Sequence, residues 1–327
     1  MKLTLTGIQD CAAWQSASVA LPPYDVAAAR AATQAAPRWV HFGVGNIFRI
    51  FLGGIADDML AAASRAGTAA DCGIICVDTH GFDTIGAVYT PHDNLTLAVT
   101  LHADGSTAKR VIGSLSEALN ADWRSEAQWA RLKQIFASPS LQLASFTITE
   151  KGYALTAPDG SYLKAASADI ENGPEKPATA MGIVTALLVH RFASGAAPIA
   201  VVSMDNCSHN GEKLKNAVTT IAAEWQKRGF VGADFAAYLN DGAKVSFPWT
   251  MIDKITPRPA QSVANELTAL GIEDMQPLVT ARGSYVAPFV NAEESEYLVI
   301  EDDFPNGRPP LEEAGFILTE RETVNKV

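Results

Sequence analysis

Arg38-Trp-Val-His-Phe-Gly-Val-Gly-Asn-Ile-Phe-Arg-Ile-Phe-Leu-Gly-Gly-Ile-Ala-Asp57 decides how the rest of the chain is read. Trp39, Val40, Phe42 and Val44 predict a strand, and Gly43 and Gly45 let the backbone turn sharply and come close to a ligand. Beyond the turn, Ile47, Ile50, Phe51, Ile55 and Leu60 fall at helical spacing, so one stripe can pack on a sheet. The free N–H groups at the start of such a helix, with its partial positive charge, suit a pyrophosphate. Phe48 stands where the dinucleotide fingerprint has its third small residue. From the glycines alone, a buried strand with a glycine turn is as good a reading as a cofactor site.

The surrounding chain narrows the choice. Its 327 residues are 48% apolar and 19% charged, as in a folded globular protein. A net charge of −11 argues against nucleic acid or an anionic membrane as partner. No apolar run reaches the ~20 residues that span a bilayer, and the first ten residues lack an export core, so a cytoplasmic setting is expected. Cys72, Cys76 and His80 are four apart, but Cys72 to Val77 reads as a buried strand, and no metal site is expected.

That second strand ends at Asp78, where a Rossmann-like fold places a carboxylate for the ribose 2′-hydroxyl; the alternative is a cap on the following turn. A carboxylate facing the ribose would repel a 2′-phosphate and favour NAD over NADP. Residues 1–37, with Leu21-Pro-Pro-Tyr24 and an alanine-rich stretch, predict a lead-in arm and a short helix. Leu95–Leu101 and Arg110–Gly113 predict a hairpin insertion, Leu141–Ile148 and Pro198–Met204 two buried strands, and 123–136, 175–191 and 212–228 helices. The fold class expected is α/β, a Rossmann-like, doubly wound, mostly parallel sheet with hairpin insertions.

His41-Phe-Gly-Val-Gly-Asn-Ile-Phe-Arg49 resembles the glycine motif of the polyol-specific long-chain dehydrogenases and reductases, the family of mannitol 2-dehydrogenase and the fructuronate and tagaturonate reductases. Here Ile47 replaces the usual Phe. Four further segments resemble that family in the same order: Thr147-Ile-Thr-Glu-Lys-Gly-Tyr153, Ser203-Met-Asp-Asn-Cys-Ser-His-Asn-Gly211, Phe247-Pro-Trp-Thr-Met-Ile-Asp-Lys-Ile-Thr-Pro257, and Val299-Ile-Glu-Asp-Asp-Phe-Pro-Asn-Gly-Arg-Pro309. The resemblance implies a Rossmann-like domain over residues 38–320 that binds NAD and acts on a sugar acid or a polyol. It implies cofactor contacts from Phe42, Gly43, Val44, Gly45, Asn46, Ile47, Arg49, Thr149 and Glu150, to which the strand-end position adds Asp78. It makes Asn206 the donor to the reacting oxygen and places Asp253 near the substrate.

Read without the family, Asp205-Asn206 could be a turn that caps the next helix, Glu150 a cap or a solvated charge, and Asp253 a partner of Lys254 or Arg258. Family members continue into an all-helical domain carrying a lysine general acid/base. Residues 321–327 are expected to start a linker to such a domain, which is absent from this sequence, so this chain alone is expected to be inactive. A dinucleotide sensor without catalysis is the alternative.

Overall fold

The computed structural model describes residues 1–326. Six strands form the main sheet: β1 (Trp39–Phe42), β2 (Ile74–Asp78), β3 (Leu115–Asn120), β4 (Leu143–Phe146), β5 (Ile199–Ser203) and β6 (Val245–Ser246). They lie in the order β3-β2-β1-β4-β5-β6, each neighbouring pair parallel. This is the Rossmann order. Its crossovers leave in opposite directions from β1 and β4, and a crevice opens at the carboxyl ends of those two strands.

β1, β2, β4 and β5 are buried at every position, because helices cover both faces of the sheet; such strands read as unbroken apolar runs. Val40 and Phe42 face α2 (Glu126–Ala137), α3 (Ala180–Ala193) and α4 (Asn210–Lys227), whereas Trp39 faces α1 (Gly53–Ala66). Thr179 sets where α3 begins, later than the sequence suggests: its Oγ1 accepts from the Gly182 N–H at 3.0 Å and donates to Asp169. At the other end of α3, the buried Arg191 guanidinium donates to the carbonyls of Phe136, Ser138, Leu141, Ala197 and Pro198. All of its donors are satisfied, and the amino ends of β4 and β5 are tied to the helix.

Between β1 and α1 the chain makes a wide turn over Phe48–Leu52, where the Gly53 N–H reaches back five residues to the Phe48 carbonyl. The extra residue in this turn makes room for Phe48, whose ring stacks on His41 at 4.7 Å and 7°. Phe48 therefore lies beneath the glycine turn and does not plug it. α1 then buries Ile55, Ala56, Met59 and Leu60 and ends at Gly67, left-handed at φ 67°. Wide turn, helix and loop together account for the long spacing between Gly45 and Asp78.

The hairpin forms as expected, Thr96–Leu101 antiparallel to Thr107–Ile112, and Val19–Ala20 and Phe289–Glu293 extend it into a four-stranded sheet. A third small sheet joins Thr250–Lys254, Glu296–Glu301 and Ile317–Thr319. Residues 1–37 are not an arm. Leu3, Ile8, Trp14, Val19 and Val26 share a core with Leu97 and Val99 of the hairpin and with Val263 and Leu267. The Trp14 indole N–H donates to the Gly7 carbonyl at 2.9 Å, so these apolar residues make a packed layer. No described helix is long and apolar enough to cross a membrane.

Candidate functional site

The crevice is built from the turns that follow β1, β2, β4 and β5. Gly43 sits at φ 144°, and a Cβ there would fall 2.5 Å from Thr147 Oγ1 and 2.7 Å from the Thr147 carbonyl oxygen. Only glycine fits. A Cβ on Gly45 would meet no protein atom within 4 Å, so the turn is closed against the sheet at Gly43 and open to solvent at Gly45. The first backbone bond of the helix runs from the Arg49 N–H to the Gly45 carbonyl at 3.1 Å. The N–H groups of Asn46, Ile47 and Phe48 precede it and have no helical acceptor, which leaves donors at the open side.

Asp205 joins the turns after β4 and β5. Its carboxylate accepts from the N–H groups of Ile148 at 2.9 Å and Thr149 at 3.0 Å, and from the Tyr153 hydroxyl at 2.6 Å. These bonds hold Thr149 at φ 66°, a conformation that a β-branched residue avoids when free. Burial raises the Asp205 pKa, and the bonds from Tyr153 and the two amides pull against that rise. Asn210 closes the other side: its amide donates to Thr250, Ser203 and Asp205, and its oxygen accepts from the Thr250 N–H. Asn206 lies between these two anchors, exposed at the mouth.

At the end of β2, Asp78 is buried. One carboxylate oxygen accepts from the His80 N–H at 2.8 Å, and the other has no partner among the described residues. Burial is the main cause that raises its pKa. The turn-capping role and a vacant acceptor thus coexist in one side chain. A cleft of about 460 Å³ runs from Thr79 and His80 past Ile148, Thr149 and Gly152 to Thr179, linking the ends of β2 and β4. Asp78 at the end of β2 and the N–H groups at the glycine turn are the groups that could hold the ribose and pyrophosphate of a dinucleotide.

Two expected contacts are corrected. Phe42 is fully buried and stacks on Phe146 at 4.8 Å, while its carbonyl accepts from the Thr147 N–H, so nothing of it faces the crevice. Arg49 does not face the crevice either. Its guanidinium is buried, donates to the carbonyls of Ala287 at 2.7 Å and Pro288 at 2.9 Å, and lies 5.4 Å from the Tyr89 ring centroid. The Tyr89 hydroxyl in turn donates to the Val44 carbonyl at 2.8 Å, so Arg49 acts as a brace behind the turn.

Val44, Asn46 and Ile47 are half-buried along the turn and Thr149 lies at the mouth. Glu150 is on the rim, paired with Lys213 at 2.5 Å. Because that pair is exposed, Glu150→Gln is expected to change unfolding free energy by less than about 1 kcal/mol in urea titrations; a larger loss would mean that the pair organises the rim. Asp253 is exposed on the strand Thr250–Lys254, opposite Tyr297, and Lys254 pairs with Glu296 instead. It is not among the residues that the crevice brings together.

Reading the sequence for ligands passed over Asp205, Tyr153 and Asn210, which hold the loops, and the buried polar row beneath them. His41 and Ser145 are direct neighbours in β1 and β4, and polar side chains at matching positions of two buried strands were the available signal.

Comparison with known proteins agrees with this geometry. The sequence profile described as the mannitol dehydrogenase Rossmann domain matches residues 37–313. D-mannonate oxidoreductase of Thermotoga maritima is 47% identical over all of this chain and 59% of its own length. Polyol:NADP oxidoreductase of Gluconobacter oxydans is 32% identical over 94% of this chain and 57% of its own. A solved structure, the ternary complex of Pseudomonas fluorescens mannitol 2-dehydrogenase with NAD and D-mannitol, superposes with a TM-score of 0.75 at 29% identity, covering 98% of this chain and 58% of that one. The chain thus spans somewhat over half the length of the relatives it matches. With the strand order, the glycine turn and a match over residues 37–313 in agreement, the chain belongs to the mannitol dehydrogenase Rossmann-domain family.

Proposed function

We propose that this chain is the dinucleotide-binding part of a cytoplasmic, NAD-dependent oxidoreductase. It would act on a secondary alcohol or ketone of an open-chain sugar acid or polyol, with fructuronate and mannonate ahead of mannitol and fructose. The observation that carries the reading is the pairing of an open glycine turn at Gly45 with the vacant Asp78 oxygen at the end of β2. The preference for a sugar acid rests on the 47% identity to a D-mannonate oxidoreductase.

When bound, the nicotinamide ring supplies or accepts the hydride. Gly43, Val44, Gly45, Asn46 and Ile47 would hold the diphosphate, Asp78 would accept from the ribose hydroxyls, and Thr149 and Glu150 would lie at the rim of the bound cofactor. The Asn206 amide donates to the substrate oxygen, and a neutral donor fixed beforehand stabilises the charge that develops there. Asp253, exposed on the strand Thr250–Lys254 outside the crevice, is given no role in this reading.

The reading predicts that the chain binds NADH more tightly than NADPH, because the Asp78 carboxylate repels a 2′-phosphate. Asp78→Asn is expected to weaken NADH by about tenfold and to narrow the gap to NADPH. Fluorescence titration with both nucleotides tests this, and equal affinity of the unmodified chain for the two would overturn the role of Asp78. Comparing fructuronate with fructose as oxidants of NADH, in a polypeptide of the relatives' length, separates sugar acid from polyol.

A further inference from the structure

Four polar side chains run in a row directly beneath the glycine turn. The Trp39 indole N–H donates to Ser145 Oγ at 2.7 Å, Ser145 Oγ lies 2.7 Å from His41 Nδ1, and His41 Nε2 lies 2.8 Å from Thr147 Oγ1. Trp39, Ser145 and His41 are fully buried, and Thr147 is half-buried against Gly43.

The direction of each bond follows from the chemistry of its members. An indole can only donate, so Ser145 Oγ accepts from Trp39 and has one proton left to give. Among the described residues Ser145 Oγ has no hydrogen-bond partner but Trp39 and His41. If His41 Nδ1 carried the proton, the Ser145 hydroxyl would be a buried donor with no acceptor, which folded proteins avoid. Ser145 therefore donates to Nδ1, and the imidazole proton sits on Nε2 and points at Thr147 Oγ1. Phe48, flat against the imidazole, fixes the plane of the ring. Burial pushes the His41 pKa down to about 3, which keeps the ring neutral at ordinary pH. Thr147 Oγ1 has no other partner among the described residues, so its hydroxyl proton remains to be given.

We propose that Trp39, Ser145 and His41 form a one-way hydrogen-bond relay that turns the Thr147 hydroxyl proton outward, making Thr147 a donor to a diphosphate or ribose oxygen of the bound dinucleotide beside Gly43. This rests on the dinucleotide reading above. Thr147 touches the ligand; Ser145 and His41 are positioning residues that act through it.

Two measurements on the full chain separate the parts. The imidazole ¹⁵N shifts of His41 in the nucleotide-free protein report the relay alone: a neutral ring protonated at Nε2, lost or mixed in Ser145→Ala, is expected. A proton on Nδ1 overturns the relay whatever the protein binds. Titration with NADH and ADP-ribose reports the donor. Thr147→Val is expected to bind both about tenfold more weakly, the loss of one bond to a charged or strongly polar oxygen, and Thr147→Ser is expected to restore affinity to within about twofold. If the unmodified chain binds NADH and Thr147→Val binds it equally well, the donor role is wrong. If the unmodified chain binds no NADH, the dinucleotide reading fails with it, while the nitrogen shifts still decide the relay.

Discussion

Gly43→Ala is expected to weaken NADH binding by up to about a hundredfold. The added methyl would fall 2.5 Å from Thr147 Oγ1 and 2.7 Å from the Thr147 carbonyl oxygen, and the φ of 144° is one that alanine rarely adopts. Strained backbone of this kind costs roughly 1–3 kcal/mol, and relief requires either the turn or the end of β4 to move. Either movement would displace the free N–H groups proposed to meet the diphosphate, and about 3 kcal/mol is about a hundredfold in affinity. The melting temperature should fall as well.

Gly45→Ala provides the contrast, because its methyl would meet no protein atom within 4 Å. Its melting temperature is expected to stay unchanged while NADH affinity drops, since the space taken belongs to the ligand. Fluorescence titration and circular dichroism on the two variants give the answer. If Gly43→Ala binds within about threefold of the unmodified chain, or if Gly45→Ala binds equally well, the nucleotide does not sit on this turn.

The second large effect is on acid stability and comes from His41. Its pKa falls from 6.5 to about 3 in the folded chain because the ring is buried with no charged partner. Below pH 6.5 the unfolded chain takes up a proton that the folded chain refuses until about pH 3. The stabilisation is therefore complete above pH 6.5 and drains away as the pH falls through that window, by roughly 4–5 kcal/mol in all. Asp57 works in the opposite sense. Burial raises its pKa from 3.8 to about 6, so the folded chain keeps a proton that the unfolded chain releases, and stability present at low pH is lost as the pH rises towards 6.

The difference between the unmodified chain and His41→Gln removes the contribution of Asp57. Urea unfolding of both should show the advantage of histidine shrinking by about 3 kcal/mol between pH 7 and pH 4. A gap that does not move with pH would mean that the imidazole is protonated in the folded chain, against the relay drawn above.

The sequence reveals the main sheet well where burial is complete. β1, β2, β4 and β5 are covered on both faces, so their apolar runs stand out without any alternation to decode. β3 was not legible. Leu115-Ser-Glu-Ala-Leu-Asn120 lies at the sheet edge with its last four residues half-buried, and it mixes polar and apolar residues in no clear period. How Phe48 fits where the fingerprint has a small residue was not legible, because a fingerprint lists residue types, and the widened turn that houses the ring is a property of the backbone. Arg49 was misread for a related reason: its acceptors are the carbonyls of residues 287 and 288, and no local pattern points across that distance. Asn206 attracted notice as a donor, yet Asp205 beside it carries the geometry, because an acid that accepts three bonds looks in sequence like any other turn residue.

The brace at Arg49 also has a consequence for the order in which the molecule becomes competent. The glycine turn leaves the ribosome early, but the carbonyls that hold its supporting guanidinium lie 238 and 239 residues further on. A nascent chain stalled before Ala287 would contain every residue of the fingerprint and all six strands of the main sheet, and still lack the anchor that stiffens the turn. The turn thus gains its brace only once residues 287 and 288 have been made.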